Sequence, residues 1–420
     1  MRIVVLGLWH LGCVTAACAA KFHHVIGLDF DRETAGRLRQ GETPIFEPGL
    51  ADLIREGLAS GRLRFLDDCS EAFSGTDLLW VCFDTPVDAD DRLDLTPVLN
   101  APCLAAGTLI AISSQVPART CRSLEQRYPA LRFAYVPENL RLGKAISIFL
   151  APDRIVLGVR TESDAKQLTE LLGDFSKNLV CVRTESAEMI KHAINTFLAL
   201  SIAFMNEVSR VCELVGADAK EVEAGLKSDS RIGARAYLAP GGPFAGVTLA
   251  RDVIALTDLA AAGRDPLCLV PSIKASNDQH KLWSIQKLRE ELGELSGKRI
   301  AVIGLPYKAG TNTLRQSLAV EVCRKLLATG AELIAYDPVV SVLPEDLKMV
   351  RILSDVAAAV DRANAVLICA EWPQIREARW QEILDQLHRP VVIDAFGFIE
   401  DQIADFSRII YRRVGKPKIK

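Results

Sequence analysis

Short, nearly continuous apolar runs alternate with amphipathic stretches along the first third of the chain. RIVVLG, HVIGLD, LLWVCF, TLIAIS and RFAYVP are runs of the kind buried on both faces of a parallel sheet. Between them, RETAGRLRQ and PGLADLIREGLASG repeat apolar residues at helical spacing. This alternation predicts a doubly wound sheet with a ligand crevice at the carboxyl ends of its strands. DRIVLGV and LVCVR extend the sheet toward residue 183.

From Ser186 to Val215 there is no Gly or Pro, and Ile190, Ile194, Phe197, Phe204, Val208 and Val211 recur at helical spacing. The stretch predicts one helix of about 45 Å, long enough to connect two domains. Shorter helices follow, interrupted by the loop PGGPFAG at 240–246. KRIAVIG at 298–304 opens a second alternating region, with AELIAYDP, ANAVLICA and PVVIDAF as later strands. The predicted fold is α/β: two Rossmann-like doubly wound domains, 1–185 and 297–420, joined by a central helical domain, 186–296.

Composition narrows the function. A chain of 420 residues, 49% hydrophobic and 25% charged, is ordinary globular material for more than one core. A net charge of −3 argues against nucleic acid as a partner. The eleven cysteines form no CxxC pair and no metal-like spacing with histidine. Those in apolar segments, Cys82, Cys181 and Cys369, read as buried free thiols in a reducing compartment, which points to the cytoplasm. Residues 1–20 have the outline of a signal peptide. His10 in their middle, and their direct continuation into HHVIGLDFD, read them instead as the first strand and helix. No run is apolar enough to span a bilayer.

Chemistry enters at GLWHLG. A strand ends at Gly7, a helix begins near Gly12, and Asp29 ends the second strand 22 residues after Gly7. Gly7 supplies the tight turn and Gly12 lets the helix pack on the sheet. A carboxylate at 29 accepts hydrogen bonds from ribose hydroxyls and repels a 2′-phosphate, favouring NAD over NADP. Trp9 stands where a middle glycine brings backbone to a pyrophosphate. The loop therefore reads either as a dinucleotide site or as a Rossmann-like turn plugged by an indole. On the long helix, Lys191 and Asn195 share a face, as a binding pair or as a solvated lysine beside an amide. PENLRLG at 137–143 follows a strand end. The loop DSRIGARAYLAPGGPFAGVTLARD at 229–252 either folds over a ligand or forms a tight connection.

These segments, in this order, resemble the UDP-glucose/GDP-mannose dehydrogenase family over most of the chain. GETPIFEPGL, the T-P loop of FDTPVDADDRLDL, SQVP, PENLRLGKAISIFLAPDRIVLG, AEMIKHAINTFLALSIAFMNEV, DSRIG, GLPYKAGTNTLRQS, AYDP and EWP carry the likeness. The resemblance implies NAD as cofactor, a nucleotide sugar as substrate, a homodimer formed through the central helices, and a place in surface-polysaccharide synthesis. It implies two successive hydride transfers from a sugar alcohol, the second through a cysteine thioester that water hydrolyses. Lys191 and Asn195 match residues that hold substrate and stabilise an oxyanion, and Asp252 matches an aspartate that activates water. Glu138, Arg231, Phe244, Gly246 and Lys308 match substrate positions. Gly7, Gly12, Asp29, Thr85, Arg251 and Arg315 match cofactor positions.

The departures cluster. Thr248 occupies the position of the family's cysteine, and Arg251 that of a lysine. Pro243 and Ala245 replace glycines, Leu142 a glutamate, Gln115 a threonine, and Asn312 and Thr313 two aspartates. No cysteine lies within 15 residues of Thr248. A threonine hydroxyl does not replace the thiol, whose loss typically costs roughly 10³- to 10⁶-fold in rate. The sequence thus supports a nucleotide-sugar oxidoreductase with altered chemistry, in which Thr248 sits among the candidate catalytic residues. Two alternatives stay open: a catalytically impaired nucleotide-sugar-binding protein, and an enzyme for another phosphorylated ligand.

Overall fold

The computed structural model describes the chain except residues 70, 86–94, 101–107, 139, 247, 405, 407 and 419–420. Residues 86–94 of FDTPVDADDRLDL, Asn139 of PENLRLG and Val247 beside Thr248 therefore lie outside the described residues. The chain forms two compact units, Met1–Ile194 and Asn195–Lys420.

The first unit is built on eight strands: β1 Arg2–Leu6, β2 His24–Leu28, β3 Leu63–Leu66, β4 Leu78–Val81, β5 Leu109–Ile112, β6 Arg132–Tyr135, β7 Ile155–Gly158 and β8 Leu179–Val182. Their order across the sheet is β3-β2-β1-β4-β5-β6-β7-β8. The runs are continuously apolar because both faces are covered. Ile3, Val5, Trp80 and Leu109 pack with Cys13, Val14 and Ala17 of the helix His10–Ala19. Val4, Leu6, Leu79 and Ile110 face the other way, against Cys121 and Leu124 of the helix Thr120–Arg127. The chain reverses strand order between β1 and β4, so the loops after those strands flank the crevice.

Two features differ from the sequence reading. β7 pairs antiparallel with β6, whereas the remaining pairs in this sheet are parallel. An apolar run buried on both faces carries no record of strand direction. Cys181 lies exposed on the edge strand β8, not buried as its neighbours suggested, while Cys82 and Cys369 are buried as expected.

The helix Thr184–Val215 contributes its first turns to the first unit and the rest to the second. The second unit continues with the helices Ala219–Ser228, Thr248–Ala262, Leu269–His280 and Trp283–Leu292. Its sheet follows: β9 Arg299–Ile303, β10 Glu332–Tyr336, β11 Arg351–Leu353, β12 Ala365–Ile368, β13 Val391–Asp394 and β14 Ile410–Arg412. The order is β11-β10-β9-β12-β13-β14, all parallel, with Ile300 and Val302 on one face and Ala301 and Ile303 on the other. Two doubly wound sheets with a helical stretch between them in sequence are the predicted fold class. Among the described residues, no helix is long and apolar enough to cross a membrane.

Candidate active site

The turn after β1 is built around glycine. Gly7 has φ of 91°, and its N–H donates to Leu28 O at 3.0 Å. A Cβ on Gly12 would stand 1.7 Å from Gly7 O, so the first turn of the helix His10–Ala19 lies directly on the loop. Trp9 has φ of −93°, an angle any residue adopts, and its side chain is half exposed. The middle position therefore makes no demand for glycine on conformational grounds. Asp29 accepts from Leu8 N–H at 2.7 Å through Oδ2 and from Asp31 N–H at 3.0 Å through Oδ1. It is only half-buried, so its carboxylate can also face the hydroxyls of a ribose. A cradle that a Cβ would fill, beside a carboxylate at the end of β2, fits a dinucleotide. Thr85, in the loop after β4, donates through Oγ1 to Gln115 O at 2.9 Å.

In the same unit, Lys191 reaches the loop after β6. Its Nζ donates to Glu138 O at 2.5 Å and stands 3.5 Å from Glu138 Oε1. Glu138 also accepts from Leu140 N–H at 2.6 Å, which folds its side chain back over its own loop. Three residues before Lys191 on the helix, the fully buried Glu188 accepts from the N–H groups of Arg119 and Cys121. Burial pushes its carboxyl up, while those two donors pull it down.

In the second unit, Asn195 Nδ2 donates to Asp252 Oδ2 at 2.5 Å. Both residues are buried, Asp252 completely. Thr248 is the exposed first residue of the helix Thr248–Ala262, one turn ahead of buried Arg251 and Asp252. The loop before it is held by three buried side chains. Asn206 accepts from Gly241 N–H and donates to Gly242 O, both at 3.2 Å. Asn277 accepts from Phe244 N–H at 2.9 Å and donates to Phe244 O at 3.0 Å. His280 donates from Nε2 to Gly241 O at 2.9 Å, and burial pushes its pKa down to about 4. The Phe244 ring packs into the core with Ala199, Ala203, Ala250, Val253 and Ile273. The structure thus gives that candidate substrate residue an internal role for both ring and backbone. Gly246, with φ of 76°, lies under the Tyr307 ring, over which Lys308 Nζ stands at 5.6 Å. Arg231 and Arg315 are exposed, and Arg231 pairs with Asp229 in its own turn.

The described cysteines of this unit are Cys212, Cys268, Cys323 and Cys369. Burial raises the thiols of Cys212, Cys323 and Cys369, that of Cys323 to about 12. Cys268 lies beyond the far end of the helix that Thr248 opens, a helix about 22 Å long at 1.5 Å per residue. Among the described residues no cluster of His, Cys, Asp and Glu could hold a metal. Asn206, Asn277, His280 and Glu188 escaped the sequence reading. Their one sequence signal is a polar residue on an otherwise apolar helix face, which most often marks nothing.

The Gly7–Gly12 turn beside Asp29 in one doubly wound sheet, with a second such sheet after a helical stretch, is the framework of a dinucleotide-binding protein. Residues 1–176 match the NAD binding domain of the UDP-glucose/GDP-mannose dehydrogenase family, 185–279 its central domain and 301–401 its UDP binding domain. The chain belongs to that family. It is similar to UDP-glucose 6-dehydrogenase TuaD of Bacillus subtilis, 33% identical over 436 residues, covering 100% of this chain and 94% of the relative. The UDP-glucose 6-dehydrogenase of Rhizobium meliloti is 33% identical, covering 99% of this chain and all of its own. Among solved structures, a UDP-glucose dehydrogenase from Pyrobaculum islandicum superposes with a TM-score of 0.87 at 29% identity, covering 99% of this chain and 97% of that one.

Proposed function

We propose that the protein oxidises one alcohol of a UDP- or GDP-sugar by a single two-electron step, giving the carbonyl compound, NADH and a proton. NAD, when bound, accepts the hydride; Gly7, Gly12, Asp29, Thr85, Arg251 and Arg315 are the residues proposed to hold it. Asp252, oriented by the Asn195 amide, is proposed to take the alcohol proton. Lys191 is proposed to hold the sugar together with the Glu138 loop to which it is anchored. Arg231, Phe244, Gly246 and Lys308 are proposed to serve the nucleotide-sugar site, in the region that matches the UDP binding domain and in the loop preceding it. In this reading residues 1–185 bind cofactor, 186–296 form a dimerisation region and 297–420 bind the nucleotide. Free thiols among the described cysteines support a reducing, cytoplasmic setting.

The observation that carries the proposal is Thr248. It opens its helix where the resemblance expects the cysteine nucleophile, and burial raises the thiols of Cys212, Cys323 and Cys369 in the same unit, while Asn195 donates to Asp252. A hydroxyl there does not support the acyl-enzyme half of a four-electron oxidation. Counting NADH per sugar across UDP- and GDP-sugars tests this. One NADH per sugar, with the carbonyl product trapped by hydroxylamine, is expected; two per sugar with a uronate product, or silence at high enzyme concentration, overturns it. Silence with tight UDP-sugar binding and no NAD binding would instead favour a nucleotide-sugar-binding protein, a reading supported by the joint changes at Leu142, Pro243, Ala245 and Arg251.

A homodimer is part of the proposal. Phe197, Phe204 and Val211 recur every seventh residue on the long helix and are 65%, 48% and 55% exposed, with Leu214 and Val215 beyond them. A stripe of that kind, two turns apart, suits a second copy of the same helix. Light scattering of wild type and Phe204→Asp checks it, with a dimer and a monomer expected.

A further inference from the structure

We infer that His10 is a positioning residue that ties the dinucleotide loop to the loop after β6 through the buried carboxylate of Glu47. His10 is the first residue of the helix His10–Ala19, three positions past Gly7. Its Nε2 donates to Glu47 Oε2 at 2.9 Å. Glu47 is buried, and the same two oxygens accept from Gly143 N–H at 2.8 Å and Ala145 N–H at 2.9 Å. One carboxylate thus gathers three donors from two segments that are more than 130 residues apart in the chain. Gly143, at φ of 86°, makes the turn that brings both N–H groups to it. The loop so held also carries Glu138, whose carbonyl anchors Lys191. Within one unit, hydrogen bonds thus join His10 to Glu47 and Glu47 to Gly143 and Ala145, and Lys191 is bonded to Glu138, five residues before Gly143 in the chain.

This assignment rests on reading the first unit as an NAD site. It goes beyond that reading by giving His10 a specific part: it keeps the cofactor turn and the Lys191 loop in register. A residue at position 10 that only filled space would make no such link. Removing the imidazole leaves a buried carboxylate short of one donor, and the weakened network holds the backbone at Gly143 and Ala145 less firmly.

The test compares wild type, His10→Phe, which keeps the ring without a donor, and His10→Gln, which restores a donor. Hydrogen exchange of a peptide spanning residues 140–146 reports the loop. Trp9 emission reports NAD binding, because Trp9 is exposed whereas Trp80, Trp283, Trp372 and Trp380 are buried. His10→Phe is expected to speed exchange and to weaken NAD binding, each about tenfold, the effect of one charge-assisted hydrogen bond. His10→Gln is expected to recover most of both. Wild-type exchange and wild-type NAD affinity in His10→Phe overturn the proposal, as does a His10→Gln variant no better than His10→Phe. If His10→Phe does not fold, His10→Ser carries the same two measurements. Wild-type protein that binds no NAD overturns the cofactor reading alone, and the exchange comparison then still decides whether His10 holds the loop.

Discussion

The first and second sheets open with the same turn and finish it differently. Gly7 and Gly304 follow the first strand of each with φ of 91° and 89°, and each N–H donates to the end of the next strand, Leu28 O and Tyr336 O. The following N–H, of Leu8 and of Leu305, donates to an aspartate Oδ2, Asp29 at 2.7 Å and Asp337 at 2.9 Å. Beyond this the two diverge. Asp29 is half-buried and takes one further N–H, from Asp31. Asp337 is buried and takes three more donors, Val339 N–H, Val340 N–H and Trp372 Nε1. In the first sheet a helix starts three residues after the glycine; in the second, thirteen residues from Leu305 to Ser317 intervene before Leu318. One frame leaves its carboxylate half-buried and starts a helix directly after the turn. The other seals its carboxylate and follows its turn with a long loop that carries Lys308 and Arg315. The strand-and-glycine frame is common to both; the two differ in what occupies the carboxylate and in the length of chain after the turn.

The most severe way to break this comparison is at Gly12. Gly12→Ala places a Cβ 1.7 Å from Gly7 O and should cost on the order of 4 kcal/mol, abolishing NAD binding while UDP binding by the second unit persists. Thermal melting and calorimetry with the two ligands read this.

Acid provides the next contrast. His280 is neutral when folded because burial lowers its pKa from the ordinary 6.5 to about 4. Between those values the unfolded chain binds more protons, so stability falls as pH drops from 6.5 toward 4, by up to about 3 kcal/mol. Hydrogen exchange at Gly241–Phe244 should quicken over that range, while the backbone bond of Gly7 to Leu28 keeps its protection.

The paired aspartates test the comparison itself. Asp337→Asn turns an amide toward a nest of donors and should destabilise the second unit by about 2–3 kcal/mol without changing NAD affinity. Asp29→Asn should cost less stability, weaken NAD about tenfold and relax discrimination against NADP. Equal effects on folding and on NAD would erase the distinction between the two carboxylates. Smallest is Gly246→Ala, where φ of 76° and the Tyr307 ring at 3.1 Å cost about 1–2 kcal/mol. It should weaken UDP-sugar binding and leave NAD untouched.

Much of this was open to a reader of the chain alone. The Gly7 turn, the Gly12 packing and the Asp29 position are set by neighbours a few residues away or by a fixed strand–helix–strand spacing. Both sheets follow from apolar runs, and the long helix from a stretch without Gly or Pro. Thr248, as a departure at a specific position, was legible only because an ordered series of motifs surrounds it. Other features were hidden because they join residues remote in sequence. Nothing near Glu47 tells that Gly143 and Ala145 will come to it, and nothing near Asn206, Asn277 or His280 tells that they read the backbone of one loop. The antiparallel β7 and the exposed Cys181 belong with these, since an apolar run encodes burial without direction or edge.

The sequence by itself determined the two frames and their glycines, because turn geometry and periodicity act over short spans of chain. Only the tertiary structure decided that Trp9 needs no glycine's conformation, that Asp29 stays open while Asp337 is sealed, and that Asn195 is committed to Asp252. Those outcomes depend on which distant donors reach a given lone pair, and that is settled when the sheets and helices pack.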